Sequence, residues 1–188
     1  MAGRKETQKM LNLTCAMWDD EKVLCYQDAE GSTWNQDSIF LAGPSSREDV
    51  LEFKWRSLAV HYLREAGFIG IIFIPEPREN DWAFKENFPE PIVAWEARYI
   101  LQSDLVLFWI PRHQTQLPGR VTNTELGFMA GRACANPERF KYSFVWGYPR
   151  DAWKVKSEHH WVSEIAGIEP LHDLNELCIE AVRLLGDK

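Results

Sequence analysis

The sequence predicts one α/β domain built on a mostly parallel, doubly wound sheet, and three observations support this fold class. Short apolar runs without charge, such as Leu105 to Ile110, are typical of strands buried on both faces of a parallel sheet. Helical patterns of apolar residues alternate with these runs along the chain. A length of 188 residues suits a single domain with a substantial core. Because the chain is short, we expect a flavodoxin-like strand order rather than a longer Rossmann sheet.

Composition narrows the classes of partner. A net charge of −7 argues against a nucleic-acid polymer or an anionic membrane surface, although it leaves a single nucleotide possible. The longest apolar stretch, Phe68 to Ile74, is too short to span a bilayer. The four cysteines have no metal-type spacing, and the pair His159-His160 lacks companion ligands. We therefore expect a reduced, cytoplasmic protein with no metal, no cofactor and no membrane partner.

The N-terminal residues 1–36 are predicted to form an extension of the main domain, which we place at residues 37–188. Two short strands, Leu11 to Trp18 and Val23 to Tyr26, are expected to pair as a β-hairpin. The first buried strand of the main domain follows at Ser38 to Ala42.

A polar loop, Gly43-Pro44-Ser45-Ser46-Arg47, follows that first strand and precedes a helix that is expected to run from near Glu48 to Gly67. Backbone amides and a helix N-terminus converge in such a loop, which suits an anion or a sugar. The side chains of Ser45 and Arg47 add a hydroxyl and a guanidinium that could hold a phosphate or a sugar hydroxyl. An ordinary turn rich in Gly, Pro and Ser is the alternative interpretation.

The middle of the chain carries a first candidate carboxylate. A second strand is predicted at Ile69 to Ile74, and the long loop Pro75 to Pro91 has the aromatic content of a lid or a pocket wall. The next helix is predicted at Ile92 to Gln102, and Glu96 falls within its apolar stripe. This glutamate is either at the edge of the stripe and paired with an arginine, or a general acid whose pKa is raised by burial.

A second candidate carboxylate follows the strand at Leu105 to Ile110. The turn Pro118-Gly119 precedes a helical pattern that opens at Thr122 and runs to about Ala135, which would place Glu125 in the first helical turn. Thr122 and Glu125 have the spacing of a capping box. The same position also suits an ionised carboxylate that acts as a nucleophile, because the helix dipole favours negative charge there. Spacing alone does not choose between the two.

The C-terminal part is predicted to hold a strand at Tyr142 to Trp146, an irregular segment, a short strand near Ile168 and a last helix at Leu174 to Leu185.

An ordered set of motifs resembles the nucleoside 2-deoxyribosyltransferase family over roughly residues 38–150. The motifs are LAGP at 41–44, WR at 55–56, WE at 95–96, SDLVLFWIP at 103–111 and TNTELG at 122–127. The resemblance implies a Rossmann-like fold and a homodimer or higher homo-oligomer. It also implies transfer of 2-deoxyribose between nucleobases, or hydrolysis of the N-glycosidic bond of nucleosides or their 5′-monophosphates.

The resemblance further implies roles for individual residues. Glu125 matches the family's nucleophile, and Glu96 matches an acid that protonates the departing base. The candidate substrate-binding residues are Gly43, Pro44, Ser45, Arg47, Asp104, Trp109 and Asn123. One departure concerns Gly119, which stands where some transferases carry a second acid, six residues before the nucleophile.

Two competing hypotheses remain at this point. One is a non-catalytic nucleotide-binding module in which Glu125 only caps a helix. The other is an unrelated α/β enzyme. The sequence has neither the P-loop lysine motif nor the G-x-G-x-x-G motif that would support this hypothesis. In the favoured hypothesis the partners are small nucleosides, nucleotides or nucleobases.

Overall fold

The computed structural model describes residues 2–26, 28, 35–45, 54–77, 91–114 and 117–186. Three sequence predictions therefore lie outside the described residues: the helix start near Glu48, the site residue Arg47, and most of the loop from Pro75 to Pro91.

The core of the fold is one sheet of five parallel strands in the order β1-β3-β2-β4-β5. The strands are β1 Val23–Cys25, β2 Ser38–Ala42, β3 Ile71–Ile74, β4 Leu105–Trp109 and β5 Phe144–Gly147. Strands β2 to β5 have the flavodoxin-like order β3-β2-β4-β5, in which the first strand of the main domain, β2, lies between β3 and β4. Strand β1 extends the sheet beside β3. The predicted doubly wound α/β class is confirmed.

Helices cover both faces of the sheet. They are α1 Ala2–Asp19, α2 Trp55–Glu65, α3 Ile92–Gln102, α4 Arg120–Ala135, α5 Pro137–Phe140, α6 Lys156–His159 with a π-helical continuation at His160–Ile165, and α7 Leu174–Gly186. Alternate strand residues point to opposite faces, so that Ile39 and Leu41 pack with α2 and α7. Phe40 and Phe108 pack on the other face, with α3 and α4. No helix in the described ranges is both long and apolar enough to cross a membrane.

The predicted N-terminal hairpin is wrong, because residues 11–18 belong to α1. This helix buries Met17, and its Thr14 hydroxyl lies 3.1 Å from the Ser57 hydroxyl of α2. Packing on α2 thus overrides the local strand pattern. β1 follows after a tight turn and pairs in parallel with β3, Val23 opposite Ile72. The residues before 37 therefore contribute an edge strand to the main sheet.

Two C-terminal predictions also need correction. The short strand near Ile168 is absent from the described structure, where Leu171 forms a single bridge to Gly147. The segment predicted to be irregular contains α6 and its π-helical continuation. The last helix and α3 have nearly the predicted bounds.

Candidate functional site

The candidate site lies at the carboxyl edge of the sheet, where β2 and β4 are neighbours. The chain leaves β2 towards α2 on one face of the sheet, whereas it leaves β4 towards α4 on the other. In open α/β sheets this change of direction opens a crevice at the ends of the two strands, and ligands bind there. The predicted loop residues Gly43, Pro44 and Ser45 directly follow β2 and therefore lie at this crevice.

Gly43 brings the loop after β2 into close contact with the end of β4. A Cβ atom on this residue would overlap the carbonyl oxygen of Trp109 and would lie 2.6 Å from the Trp55 ring. Pro44 in turn lies close to Gly119 at the start of α4, since a Cβ on Gly119 would stand 3.5 Å from the Pro44 Cβ. The three segments that frame the crevice thus touch each other through small residues.

Arg56, in the first turn of α2, holds the loop after β2. Its side chain is buried, with 1% of its surface exposed. The guanidinium donates hydrogen bonds to the carbonyl oxygens of Leu41 at 3.2 Å and Gly43 at 2.7 Å. It also donates to the Ser45 hydroxyl at 3.0 Å. A buried cation with this many acceptors fixes the loop conformation.

Glu76 supplies the countercharge of Arg56. Its Oε1 accepts a hydrogen bond from Arg56 Nη1 at 2.6 Å, and the glutamate lies two residues beyond the end of β3. Sequence reasoning missed both residues as parts of the site. The available signal was the position of Glu76 immediately after a buried strand, at the edge where the other candidate residues were predicted.

The capping-box interpretation of Glu125 is wrong. The helix α4 begins at Arg120, two residues earlier than predicted, because Gly119 adopts a left-handed conformation with φ of 59° and serves as N-cap. Thr122 is then a buried residue within the first turn and caps nothing. Glu125 is the sixth residue of the helix, beyond the first turn, where the helix dipole has little effect.

The environment of Glu125 favours its protonated form. Burial raises the pKa of Glu125 from 4.5 to about 7, while the charge of Arg56 acts in the opposite direction. The described structure gives its carboxylate no hydrogen bond and no ion pair. A desolvated carboxylate without a partner costs stability, and such groups cluster at functional sites.

Glu96 lies on α3, on the same face of the sheet as α4. The neighbouring Trp95 packs against Phe40 and Phe73, with ring centroids 6.0 and 6.5 Å away. Because α3 runs back from the carboxyl edge to the amino edge, Glu96 lies in the half of the helix nearest the crevice. It is partly buried and engaged in an interaction. Its role as an acid stays a prediction.

Asp104 does not lie at the crevice. Its carboxylate accepts hydrogen bonds from the Ser38 amide at 2.9 Å and the Ser38 hydroxyl at 2.8 Å. Both residues stand at the amino ends of their strands, one strand length or about 16 Å from the carboxyl edge. The predicted substrate contact of Asp104 therefore needs correction, because this residue joins β2 to β4 at the opposite edge.

Trp109 and Asn123 are also occupied by contacts within the protein. The Trp109 side chain is buried in the apolar cluster between the sheet and the helices α2 and α7, and its carbonyl group faces Gly43. Asn123, near the start of α4, accepts a short hydrogen bond from Arg112 through its Oδ1. Each is close to the crevice, but the contacts above are structural.

A buried ion pair lies beside the site. Arg112, two residues after Ile110, donates to Glu158 of α6 at 2.9 Å and to the Lys154 carbonyl oxygen at 2.8 Å. Together with its bond to Asn123, this guanidinium joins the end of β4, the start of α4 and the start of α6. It therefore fixes the position of α4, which carries Glu125.

Other parts of the described structure have fewer groups that could bind a ligand or take part in a reaction. A cleft of about 520 Å³ lies between β5 and α7, and its lining includes Tyr142, Ile179 and Glu180. It is at the outer edge of the sheet and contains none of the candidate site residues. Within the described ranges, no three His, Cys, Asp or Glu side chains are grouped as metal ligands.

Comparison with known proteins identifies the family of the chain. A family model described as "nucleoside 2-deoxyribosyltransferase like" matches residues 36–136, the segment from just before β2 to the end of α4. No curated protein matches the chain. The matched segment contains Gly43, Arg56, Glu76, Glu96 and Glu125. Because the match covers more than half of the 188 residues, the chain belongs to the nucleoside 2-deoxyribosyltransferase-like family.

Proposed function

We propose that this protein cleaves the N-glycosidic bond of 2′-deoxynucleosides or their 5′-monophosphates through a covalent glycosyl–Glu125 intermediate. The sugar is then transferred to another nucleobase or to water. Membership of the family supports a small-molecule nucleoside as ligand.

The observation that carries this proposal is the partial burial of the Glu125 carboxylate without a hydrogen-bond partner in the described structure. The helix that carries Glu125, α4, follows β4 and begins at the edge of the sheet where α/β folds bind ligands. The helix-cap role that would have explained it structurally is excluded by the start of α4 at Arg120. Retaining glycosidases use such a carboxylate as nucleophile.

In the first step, ionised Glu125 attacks C1′ of the sugar as the bond between C1′ and the base nitrogen breaks. The electron pair of that bond leaves with the base, and Glu96 donates a proton to the base. In the second step, a nitrogen of an incoming base or a water molecule attacks C1′ and displaces the Glu125 carboxylate. Glu96, now ionised, accepts the proton that the attacking group loses.

The surroundings of Glu125 favour the transition state over the free enzyme. Burial makes its negative charge costly in the free protein. A positive charge that develops at C1′ in the oxocarbenium-like transition state offsets this cost, so the interaction is strongest when the bond breaks. Arg56 keeps part of the carboxylate ionised beforehand, since its charge lowers the pKa of Glu125.

The test is chromatography of purified protein incubated with each 2′-deoxynucleoside and each 5′-monophosphate, with and without a second free base. Free base alone would identify a hydrolase, and a new nucleoside would identify a transferase. Either product should disappear in Glu125→Ala and persist in the control Glu138→Gln, an exposed glutamate of α5. Mass spectrometry of the quenched reaction should find the deoxyribosyl group on the peptide that contains Glu125.

Product formation that survives in Glu125→Ala would overturn the assignment of the nucleophile. Binding without turnover of any substrate would favour a non-catalytic nucleotide-binding module. We also propose a homodimer or higher homo-oligomer, which the molar mass from light scattering coupled to size-exclusion chromatography would test.

A further inference from the structure

We propose that Glu76 accepts a hydrogen bond from the 5′-hydroxyl of the sugar and thereby selects free nucleosides over their 5′-monophosphates. This inference rests on the function proposed above, because it assumes that a nucleoside binds at the crevice with C1′ towards Glu125.

The position of Glu76 supports a contact with the sugar. It follows β3 at the carboxyl edge, next to the loop after β2. One nitrogen of Arg56, Nη1, donates both to Glu76 at 2.6 Å and to the Ser45 hydroxyl at 3.0 Å. The positive charge of the same guanidinium lowers the pKa of Glu125. Arg56 thus joins Glu76 to the loop after β2, whose Ser45 is predicted to hold a phosphate or a sugar hydroxyl.

The guanidinium of Arg56, beside the loop after β2, is already occupied. A buried guanidinium beside the loop after the first strand of an α/β domain suits an anion. Here, however, Glu76 is the anion, and its single negative charge balances the buried charge of Arg56. The other hydrogen bonds of Arg56 go to the carbonyl oxygens of Leu41 and Gly43 and to the Ser45 hydroxyl. A substrate phosphate would have to compete with an internal carboxylate for this guanidinium.

The second carboxylate oxygen of Glu76 remains available. Among the described residues Arg56 is the one hydrogen-bond partner of Glu76, and it bonds to Oε1. The side chain is 14% exposed, so Oε2 is within reach of a ligand. An ionised carboxylate oxygen can only accept hydrogen bonds. It therefore complements a hydroxyl group, which donates, and repels a phosphate, which at neutral pH is mostly a charged acceptor.

The experiment compares kcat/KM for a 2′-deoxynucleoside and its 5′-monophosphate in the wild type, in Glu76→Gln and in the control Glu138→Gln. We expect the wild type and the control to prefer the nucleoside. Glu76→Gln should lower kcat/KM for the nucleoside and raise it for the monophosphate, so that their ratio falls on the order of tenfold to a hundredfold. A change in opposite directions is the signature of recognition, because general damage to the site would lower both values.

A substrate without the 5′-hydroxyl isolates the contact. A 2′,5′-dideoxynucleoside should react on the order of tenfold more slowly than the 2′-deoxynucleoside in the wild type. The change Glu76→Gln should then cause no further loss with this substrate. Glu76→Asp retains the negative charge and should therefore still prefer the nucleoside over the monophosphate. This variant provides the test if Glu76→Gln folds poorly.

Three results would overturn the proposal: a wild type that prefers the monophosphate, equal losses for both substrates in Glu76→Gln, or a 2′,5′-dideoxynucleoside that remains sensitive to Glu76→Gln. Calorimetric binding to the Glu125→Gln protein separates this proposal from the proposed function. Tighter binding of nucleoside than of monophosphate, reversed when Glu76→Gln is added, would support the role of Glu76 even if no substrate turned over. Absence of binding by both ligands would refute it.

Discussion

The α-carbon of Gly43 lies so close to the carbonyl oxygen of Trp109 that no side chain fits between them. This contact joins the ends of β2 and β4 at the point where their following segments diverge. The loop Gly43 to Ser45 is therefore pressed against β4 on one side and hydrogen-bonded to Arg56 on the other. Its conformation is determined before any ligand binds.

Replacement of Gly43 by alanine should destabilise the protein by about 3 kcal/mol, because the new methyl group overlaps a backbone atom that cannot move alone. Urea unfolding measures this change. Gly131→Ala is the matched control, since a Cβ there would meet nothing within 4 Å on helix α4. The control should be stabilised by about 0.5–1 kcal/mol through helix propensity. Equal effects of the two changes would contradict the close contact at Gly43.

Glu125→Gln should stabilise the protein, and more so at high pH. The folded protein raises the pKa of Glu125 from 4.5 to about 7, so the folded state binds more protons than the unfolded state between these values. The wild type should therefore lose stability from this group as pH rises from about 4.5 to 7, by up to about 3 kcal/mol. Urea unfolding at pH 5 and pH 8 should show a larger gain for Glu125→Gln at pH 8. A gain that does not depend on pH would show that Glu125 is not desolvated.

The rate of glycosyl cleavage should rise with pH up to about pH 7 and should fall again where the proposed acid, Glu96, loses its proton. The nucleophile must be ionised, and the pKa of Glu125 is raised to about 7 in the free protein. The acidic limb of a plot of kcat/KM against pH should therefore have its midpoint near 7. A midpoint near 4.5 would mean that an ordinary exposed carboxylate controls the reaction.

Glu158→Ala should cost about 3–5 kcal/mol, because it leaves the Arg112 guanidinium buried without its countercharge. The double variant Arg112→Met with Glu158→Leu should lose less than the sum of the single changes, since neither charge remains buried. Unfolding in urea of the single variants Arg112→Met and Glu158→Leu and of the double variant completes a double-mutant cycle. Strictly additive losses would rule out a coupled pair.

Asp104→Ala should lower stability by about 1–3 kcal/mol and leave kcat unchanged at permissive temperature. This residue accepts two hydrogen bonds from Ser38 at the amino edge, far from the proposed chemistry. Thermal unfolding and the standard activity assay check the two halves of the prediction. A folded Asp104→Ala protein without activity would restore the substrate-binding role that the sequence motif suggested.

Sequence pattern was a good guide where the signal is local and repeated. The apolar runs at β2, β3 and β4 identified buried parallel strands, and the apolar stripe of α3 gave its bounds from Ile92 to Gln102. It failed at residues 11–18 of α1, which fit a strand as well as a helix until α2 is present for Thr14 and Met17 to pack against. It also failed at the start of α4, because the left-handed Gly119 begins the helix before the residues with the spacing of a capping box.

The sequence by itself determined the fold class, the edge of the sheet that carries the site, and Glu125 as the residue to examine. Only the tertiary structure decided which charged groups meet there. Arg56 and Glu76 are 20 residues apart on different elements, yet they form one ion pair beside Glu125. Asp104 and Glu125 have a similar separation along the chain, yet Asp104 lies at the amino edge of the sheet and Glu125 lies on α4, which begins at the carboxyl edge. The spacing of apolar residues along the chain indicates which secondary structure each segment adopts. Which side chains are buried and which charged groups meet depends on how the helices and strands pack together.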